Sequence, residues 1–125
     1  MYHPMKNMSN QEKNTYVRQH ILSALLELMK TQDFSAISIQ AVVDAAGVGR
    51  ASFYRNFESK EDVLKQESIR LTNGWKEQFD REHPNGTQGQ DSLWLISLLD
   101  FYKEHSEFYL ALYKAGLSDI MLETI

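Results

Sequence analysis

The sequence contains no cysteine and only two prolines. A chain without cysteine has no disulfide framework and no thiolate metal site. The histidines at positions 20, 83 and 105 are isolated, without the His-x-x-x-His or Glu-x-x-His spacing of metal ligands. We therefore expect neither a metal ion nor another cofactor.

Long apolar runs are also absent, so no segment is predicted to cross a bilayer as a helix. Residues 1–14 are polar and lack the apolar core of a secretory signal. The sequence likewise has no glycine-rich phosphate loop, nucleophile elbow or converging set of carboxylates. These absences predict a cytoplasmic protein that has no membrane partner and is not an enzyme.

What is present is the composition of a globular protein, with 42% hydrophobic and 24% charged residues. Charge is distributed unevenly along the chain. Residues 1–60 hold seven basic and five acidic side chains, whereas residues 61–125 hold six basic and twelve acidic ones. A first half that faces DNA, joined to an acidic second half, would show this asymmetry, although the excess of basic residues is small.

Apolar residues recur at three- and four-residue steps between positions 11 and 31, which predicts a first amphipathic helix. Ser38 offers an N-cap oxygen to a short second helix, and Gly47 ends that helix. Only Gly47, Val48 and Gly49 separate it from a third helical stretch over residues 50–56. Two short helices joined by so short a turn are typical of a helix-turn-helix.

Ser59 and Asp62 predict a capping box that opens a long fourth helix, which ends near residue 81. Residues 83–91 contain proline, Asn-Gly and a second glycine, and are predicted to be a linker. The segment after the linker is rich in apolar residues and has no strand-like alternation. The predicted fold class is therefore all-α, with an N-terminal three-helix domain, a long fourth helix and a helical C-terminal segment.

The second short helix of a helix-turn-helix enters the major groove of DNA, while flanking groups contact phosphates. The candidates for base contacts are Arg50, Ala51, Ser52 and Arg55. Arg50 can donate two parallel hydrogen bonds to guanine O6 and N7, although a solvated arginine is the alternative.

Candidates for phosphate contacts surround the predicted third helix, and are Ser38, Gly49, Tyr54 and Lys60. Lys60 is informative because a cation at the start of a helix opposes the helix dipole, which favours an anion bound nearby. An ordinary surface lysine is the alternative.

The segment from Ala45 to Leu64 resembles the DNA-binding domain of the TetR family of bacterial transcription regulators. The resemblance rests on the Ala46-Gly47-Val48 turn, on the aromatic residues at 53, 54 and 57, and on Ser59-Lys60-Glu61. It extends from about residue 11 to residue 79. It implies a homodimer that binds double-stranded operator DNA, a recognition helix at 50–56, phosphate contacts from Tyr54 and Lys60, and a helical C-terminal ligand domain. Gly49 stands where the family commonly has serine, so the third helix lacks a hydroxyl cap.

Residues 99–109 resemble, more loosely, the C-terminal domains of family members from Gram-positive bacteria. Family chains normally continue through several more helices, so we expect a truncated chain with a partial C-terminal domain. The predicted boundaries are a flexible N-terminus at 1–10, the helix-turn-helix domain at 11–58, a connecting helix at 59–82, the linker at 83–91 and a partial regulatory or dimerisation domain at 92–125. We then expect an exposed apolar face on the helix that begins near Ser92. This face would consist of Leu93, Leu95, Ile96, Leu98 and Leu99.

Aromatic residues of the C-terminal segment are candidates for an effector pocket, because small-molecule sites are apolar with a few polar tips. Packing in a core is the alternative. The candidates are Trp94, Phe101, Tyr102, Phe108, Tyr109 and Tyr113. The predicted function is that of a sequence-specific TetR-type repressor controlled by a small-molecule or protein effector. The alternative is an interaction module or coactivator-type regulator whose acidic C-terminal half docks a partner protein.

Overall fold

The computed structural model describes residues 8–125, and all regular structure within this range is helical, as the sequence predicts. The expected flexible N-terminus falls mainly on residues 1–7, which lie outside the described range. The α-helices are α1 (Asn10–Met29), α2 (Ile39–Ala46), α3 (Arg50–Asn56), α4 (Lys60–Glu82), α5 (Asp91–Glu104), α6 (Ser106–Lys114) and α7 (Asp119–Glu123), with a short 3-10 helix at Phe34–Ala36. Within residues 8–125, no helix combines the length and the apolar character of a membrane-spanning segment.

The chain divides into two compact units, and the boundary between Val63 and Leu64 lies inside α4. In the first unit α1, α2 and α3 pack against one another. Their shared core contains large apolar side chains that are almost completely removed from water. These are Ile21, Leu25, Val42, Val43 and Phe53. This burial is the main stabilising contribution, because helices of seven and eight residues are too short to be stable alone.

Side-chain caps fix where the helices of the first unit begin. The Ser9 Oγ accepts a hydrogen bond from the Glu12 N–H at the start of α1, and the Ser38 Oγ accepts one from the Ala41 N–H at the start of α2. Each cap satisfies one of the backbone donors that a helix N-terminus leaves without a partner. The N-cap role predicted for Ser38 is confirmed.

The start of α4 is capped by Ser59, whose Oγ accepts a hydrogen bond from the Asp62 N–H at 3.1 Å. The Asp62 carboxylate reaches back and accepts a hydrogen bond from the Glu58 N–H at 2.9 Å. The predicted cap at Ser59 and the backward reach of Asp62 are both present.

The second unit has an aromatic core centred on Trp75 and Phe101, whose ring centroids lie 5.9 Å apart. Trp75 is 8% exposed, and its indole N–H donates to the Ser97 Oγ at 2.8 Å. This hydrogen bond joins α4 to α5 and satisfies the single polar group of the indole. Further along the chain, α6 packs against both α5 and α7.

The expected apolar face of α5 is present in the structure. Leu93, Leu95, Ile96 and Leu99 are 36% to 59% exposed, whereas Leu98 is only 8% exposed. The prediction is therefore confirmed for four leucine and isoleucine positions and wrong for Leu98. Leu98 lies three residues before the buried Phe101, so the two side chains share the inward face of the helix.

Candidate nucleic-acid interface

The turn between α2 and α3 begins at Gly47, whose φ of +70° lies in the left-handed region. Its N–H donates to the Asp44 carbonyl, and the Val48 N–H donates to the Val43 carbonyl at 3.1 Å. These two hydrogen bonds form a Schellman motif, which ends α2 and redirects the chain. The helix end predicted at Gly47 is confirmed.

Gly49 is the N-cap residue of α3, and no side-chain hydrogen bond caps the helix there. Its φ of −89° is an ordinary extended value, unlike that of Gly47. The start of α3 lacks a hydroxyl cap only because glycine has no side chain. A serine at position 49 could adopt this extended backbone conformation and supply the cap.

The exposed face of α3 carries most of the predicted base-contacting side chains. Arg50, Ala51 and Arg55 are exposed, as is Tyr54, whereas Ser52 is half-buried. The single buried side chain among residues 50–56 is Phe53, which anchors the helix to the core. The fold thus holds α3 by one aromatic residue and leaves its other side available to a ligand.

Arg50 has two neighbours within the first unit. Its Nη1 donates to the Gln40 Oε1 at 3.2 Å, and its guanidinium carbon lies 5.8 Å from the centroid of the Tyr54 ring. Gln40 in turn donates from Nε2 to the Asp44 Oδ1 at 2.8 Å. The sequence analysis did not predict these contacts. The i,i+4 spacing of Gln40 and Asp44 on α2 could have suggested the hydrogen bond between those two residues.

Lys60 is half-buried at the start of α4, and its Nζ donates to the Phe34 carbonyl at 2.7 Å. The same nitrogen lies 4.4 Å from the centroid of the Phe34 ring. These contacts give the cation a partner inside the protein, so its position near a helix start does not by itself require a bound anion. The phosphate contact of Lys60 stays a prediction.

The remaining predicted phosphate candidates lie in the same unit. Ser38 is exposed but its Oγ already accepts the capping hydrogen bond, while Gly49 is exposed and offers backbone only. Tyr54 is 51% exposed. Three of the four predicted phosphate contacts lie at helix starts: Ser38 precedes α2, Gly49 precedes α3 and Lys60 is the first residue of α4. Backbone N–H groups at a helix start favour anions.

The predicted effector aromatics are distributed over the second unit, and their role in an effector pocket stays a prediction. Phe101, Tyr102, Phe108 and Tyr109 lie together, with the rings of Tyr102 and Tyr109 4.8 Å apart. Burial and the neighbouring Tyr109 raise the pKa of the Tyr102 phenol. Trp94 instead contacts Trp75, and Tyr113 is 71% exposed.

An open cleft of about 370 Å³ lies in the second unit, beside the ring of Phe101. Of the predicted pocket residues, its lining includes only Phe101. Other lining residues are Trp75, Phe79 and Gly74 of α4 and the acidic residues Glu82, Asp100 and Glu104. Among residues 8–125 there is no group of three or more potential ligands that could hold a metal ion.

The geometry of the first unit defines a class of protein. Two short helices joined through a left-handed glycine, with the second helix exposed on its polar side, form the helix-turn-helix of DNA-binding proteins. Residues 21–66 match the family described as bacterial regulatory proteins, tetR family. This segment is therefore similar to the N-terminal helix-turn-helix domain of TetR-family transcription regulators.

Two curated relatives match parts of the chain. One is the HTH-type transcriptional regulator AlkX of Mycobacterium tuberculosis, 32% identical over 69 residues, which are 54% of this chain and 33% of the relative. The other is the HTH-type transcriptional regulator AcrR of Shigella flexneri, 39% identical over 49 residues, which are 39% of this chain and 23% of the relative. The chain thus aligns with a third or less of each relative's length. No solved structure matches the chain significantly.

Proposed function

We propose that this protein regulates transcription by binding operator DNA, with α3 as the helix that enters the major groove. The observation that carries the proposal is the exposed polar face of α3, presented directly after the left-handed turn at Gly47. The names of both relatives, as HTH-type transcriptional regulators, support it. Arg50, Ala51, Ser52 and Arg55 would face bases, and Ser38, Gly49, Tyr54 and Lys60 would face phosphates.

Selection from a pool of randomised DNA duplexes tests this function. The protein should enrich one sequence, and its affinity for that duplex should fall steeply between about 50 and 200 mM salt, because bound cations are released from the phosphates. Enrichment of no sequence, together with salt-independent or absent binding, would reject the proposal.

We further propose that the regulator is a repressor whose DNA binding an effector controls. The cleft in the second unit supports a small organic effector, because about 370 Å³ lies within the usual range of ligand sites. Three acidic residues at the cleft, Glu82, Asp100 and Glu104, outnumber its one arginine, Arg70, which already pairs with Glu67, and this balance favours a neutral or cationic compound over an anion.

A fluorescence screen of small aromatic cations and anions tests the effector proposal. Trp75 lines the cleft, and replacing the other tryptophan by Trp94→Phe makes Trp75 the single reporter. A binder that quenches Trp75 should weaken affinity for the selected duplex, and Gly74→Leu should block the quenching by filling the cleft. An effect on fluorescence that Gly74→Leu does not change would place the compound elsewhere.

A second candidate function is a module that docks a partner protein. The exposed apolar residues of α5 favour it, since a contiguous apolar surface of this kind marks interaction sites. The same surface would serve the homodimer that TetR-like operator binding implies. A mainly apolar dock would differ from operator binding by its weak dependence on salt.

A further inference from the structure

Gln40 lies on the exposed side of α2 and connects two charged side chains. Its Nε2 donates to the Asp44 Oδ1 at 2.8 Å, and its Oε1 accepts from the Arg50 Nη1 at 3.2 Å. The first contact stays within one turn of α2, whereas the second crosses from α2 to the first residue of α3. Gln40 therefore couples the two helices of the helix-turn-helix through side chains alone.

The chemistry of the amide allows one arrangement of these bonds. An ionised aspartate only accepts hydrogen bonds, and a guanidinium only donates them. The amide nitrogen of Gln40 must therefore face Asp44, and the amide oxygen must face Arg50. Neither glutamate nor methionine at position 40 could make both contacts, because the first lacks a donor and the second lacks both groups.

This arrangement restricts the guanidinium of Arg50. A free arginine side chain samples many rotamers, but here one terminal nitrogen is bound to Gln40 and the group lies near the Tyr54 ring. The bond to Gln40 uses Nη1, so the edge formed by Nε and Nη2 keeps the two parallel donors that a guanine requires.

We propose that Gln40 is a positioning residue that determines which base pair Arg50 reads and how strongly it rejects the others. The inference rests on the proposed DNA binding and adds to it a residue outside α3. Gln40 acts through Arg50 and needs no contact of its own with a base or a phosphate. Asp44 supports it by fixing the orientation of the amide.

A double-mutant cycle tests the proposal on the full chain. Affinities are measured for wild type, Gln40→Ala, Arg50→Ala and the double variant, against the selected duplex and its single base-pair variants. We expect Gln40→Ala to reduce discrimination about threefold to tenfold at the base pair that Arg50→Ala also affects, as loss of one orienting hydrogen bond would do. In the Arg50→Ala background, Gln40→Ala should have no further effect.

The chain offers a matched control in α4. Gln78 donates from Nε2 to the Glu82 Oε1 at 3.0 Å, with the same four-residue spacing and on an exposed helix surface. Gln78→Ala removes an equivalent helix contact without touching Arg50, and should leave base discrimination unchanged. Gln40→Ala should also leave the salt dependence unchanged, because a neutral side chain neutralises no phosphate.

A measurement without DNA keeps the proposal testable on its own. Nitrogen relaxation at the Arg50 Nε should show a more mobile guanidinium in Gln40→Ala than in wild type or Gln78→Ala. An unchanged Arg50 signal, or a loss of discrimination that persists in the Arg50→Ala background, would overturn the positioning role while leaving DNA binding intact. Absence of salt-dependent binding by the wild-type protein would instead reject the proposed function and this inference with it.

Discussion

At the scale of single residues, the proposed interface separates positions that anchor the helix from positions that face outward. Phe53 is fully buried. Of its two neighbours, Ser52 is half-buried and Tyr54 is 51% exposed. Replacement of an outward residue should therefore change DNA binding with little effect on stability. Arg50 and Lys60 are the two cations whose predicted roles differ most.

Arg50→Ala should relax base preference, whereas Lys60→Ala should weaken binding to all duplexes about equally and lower the salt slope by about one. The reason is that a forked guanidinium distinguishes bases, while an ammonium contributes charge at a phosphate. Affinities for the selected and scrambled duplexes across a salt series measure both effects. If both variants bind both duplexes as wild type does, these residues do not contact DNA.

The Lys60 variant needs a control for folding, because its Nζ also binds the Phe34 carbonyl. We expect Lys60→Ala to cost about 1 kcal/mol of unfolding free energy, as for one hydrogen bond to a charged group that is only half-buried. Thermal unfolding of the free protein measures this loss separately from the salt slope. A lower affinity with an unchanged slope would trace the defect to stability rather than to a phosphate contact.

At the scale of helices and turns, local signals predicted most of the first unit. The caps at Ser38 and Ser59 and the stop at Gly47 are visible in the sequence because each acts within four residues. Contacts between residues far apart in sequence were not predictable in this way. Lys60 meets Phe34 across 26 positions, and Arg50 meets Gln40 across 10, so both depend on how the helices pack.

Gly47→Val should destabilise the first unit and abolish operator binding, whereas Gly49→Val should retain the fold. Neither glycine has an atom within 4 Å of an added Cβ, so steric crowding does not distinguish them. They differ in φ, which is +70° at Gly47 and −89° at Gly49. A left-handed conformation costs an L-residue about 1 to 2 kcal/mol, and more for a β-branched one. Denaturant unfolding measures the difference, and equal stability of the two variants would contradict this explanation.

Gly74→Ala should raise the unfolding free energy by about 0.5 to 1 kcal/mol, because Gly74 lies inside α4 and alanine is the better helix former. Beyond the adjoining backbone of α4, no atom lies within 4 Å of the added Cβ, so the methyl group meets no obstacle. Chemical denaturation of the two proteins measures the gain. A destabilised alanine variant would show that the glycine is required by an interaction other than helix propensity.

At the scale of the whole molecule, the first unit has a closed core and the second exposes apolar surface. Fold class was predictable because helical periodicity recurs along the chain, and the exposed face of α5 was predictable because its helix is apolar on most sides. The effector site was harder to predict, since aromatic residues at helical spacing occur in pockets but more often in cores. Phe101, Phe108 and Tyr109 are buried core residues, and the cleft is lined largely by other side chains.

The exposed apolar residues of α5 should cause self-association. We expect the apparent mass in sedimentation to rise with protein concentration, and Leu95→Glu combined with Leu99→Glu to reduce this rise, because burying charges at an apolar contact is unfavourable. Both leucines are more than half exposed, so the substitutions should leave unfolding free energy nearly unchanged. A wild-type protein that stays monomeric at all concentrations would remove the dimer from the proposed function.

Mapping backbone amide shifts by NMR while adding the selected duplex tests the central claim most directly, because it locates the DNA-binding surface residue by residue. The account predicts that the largest changes fall at the start of α2, in the turn at residues 47–49, along the exposed side of α3 and at the start of α4. Changes concentrated in residues 91–125, or an absence of changes at residues 47–56 under conditions where DNA is bound, would contradict it.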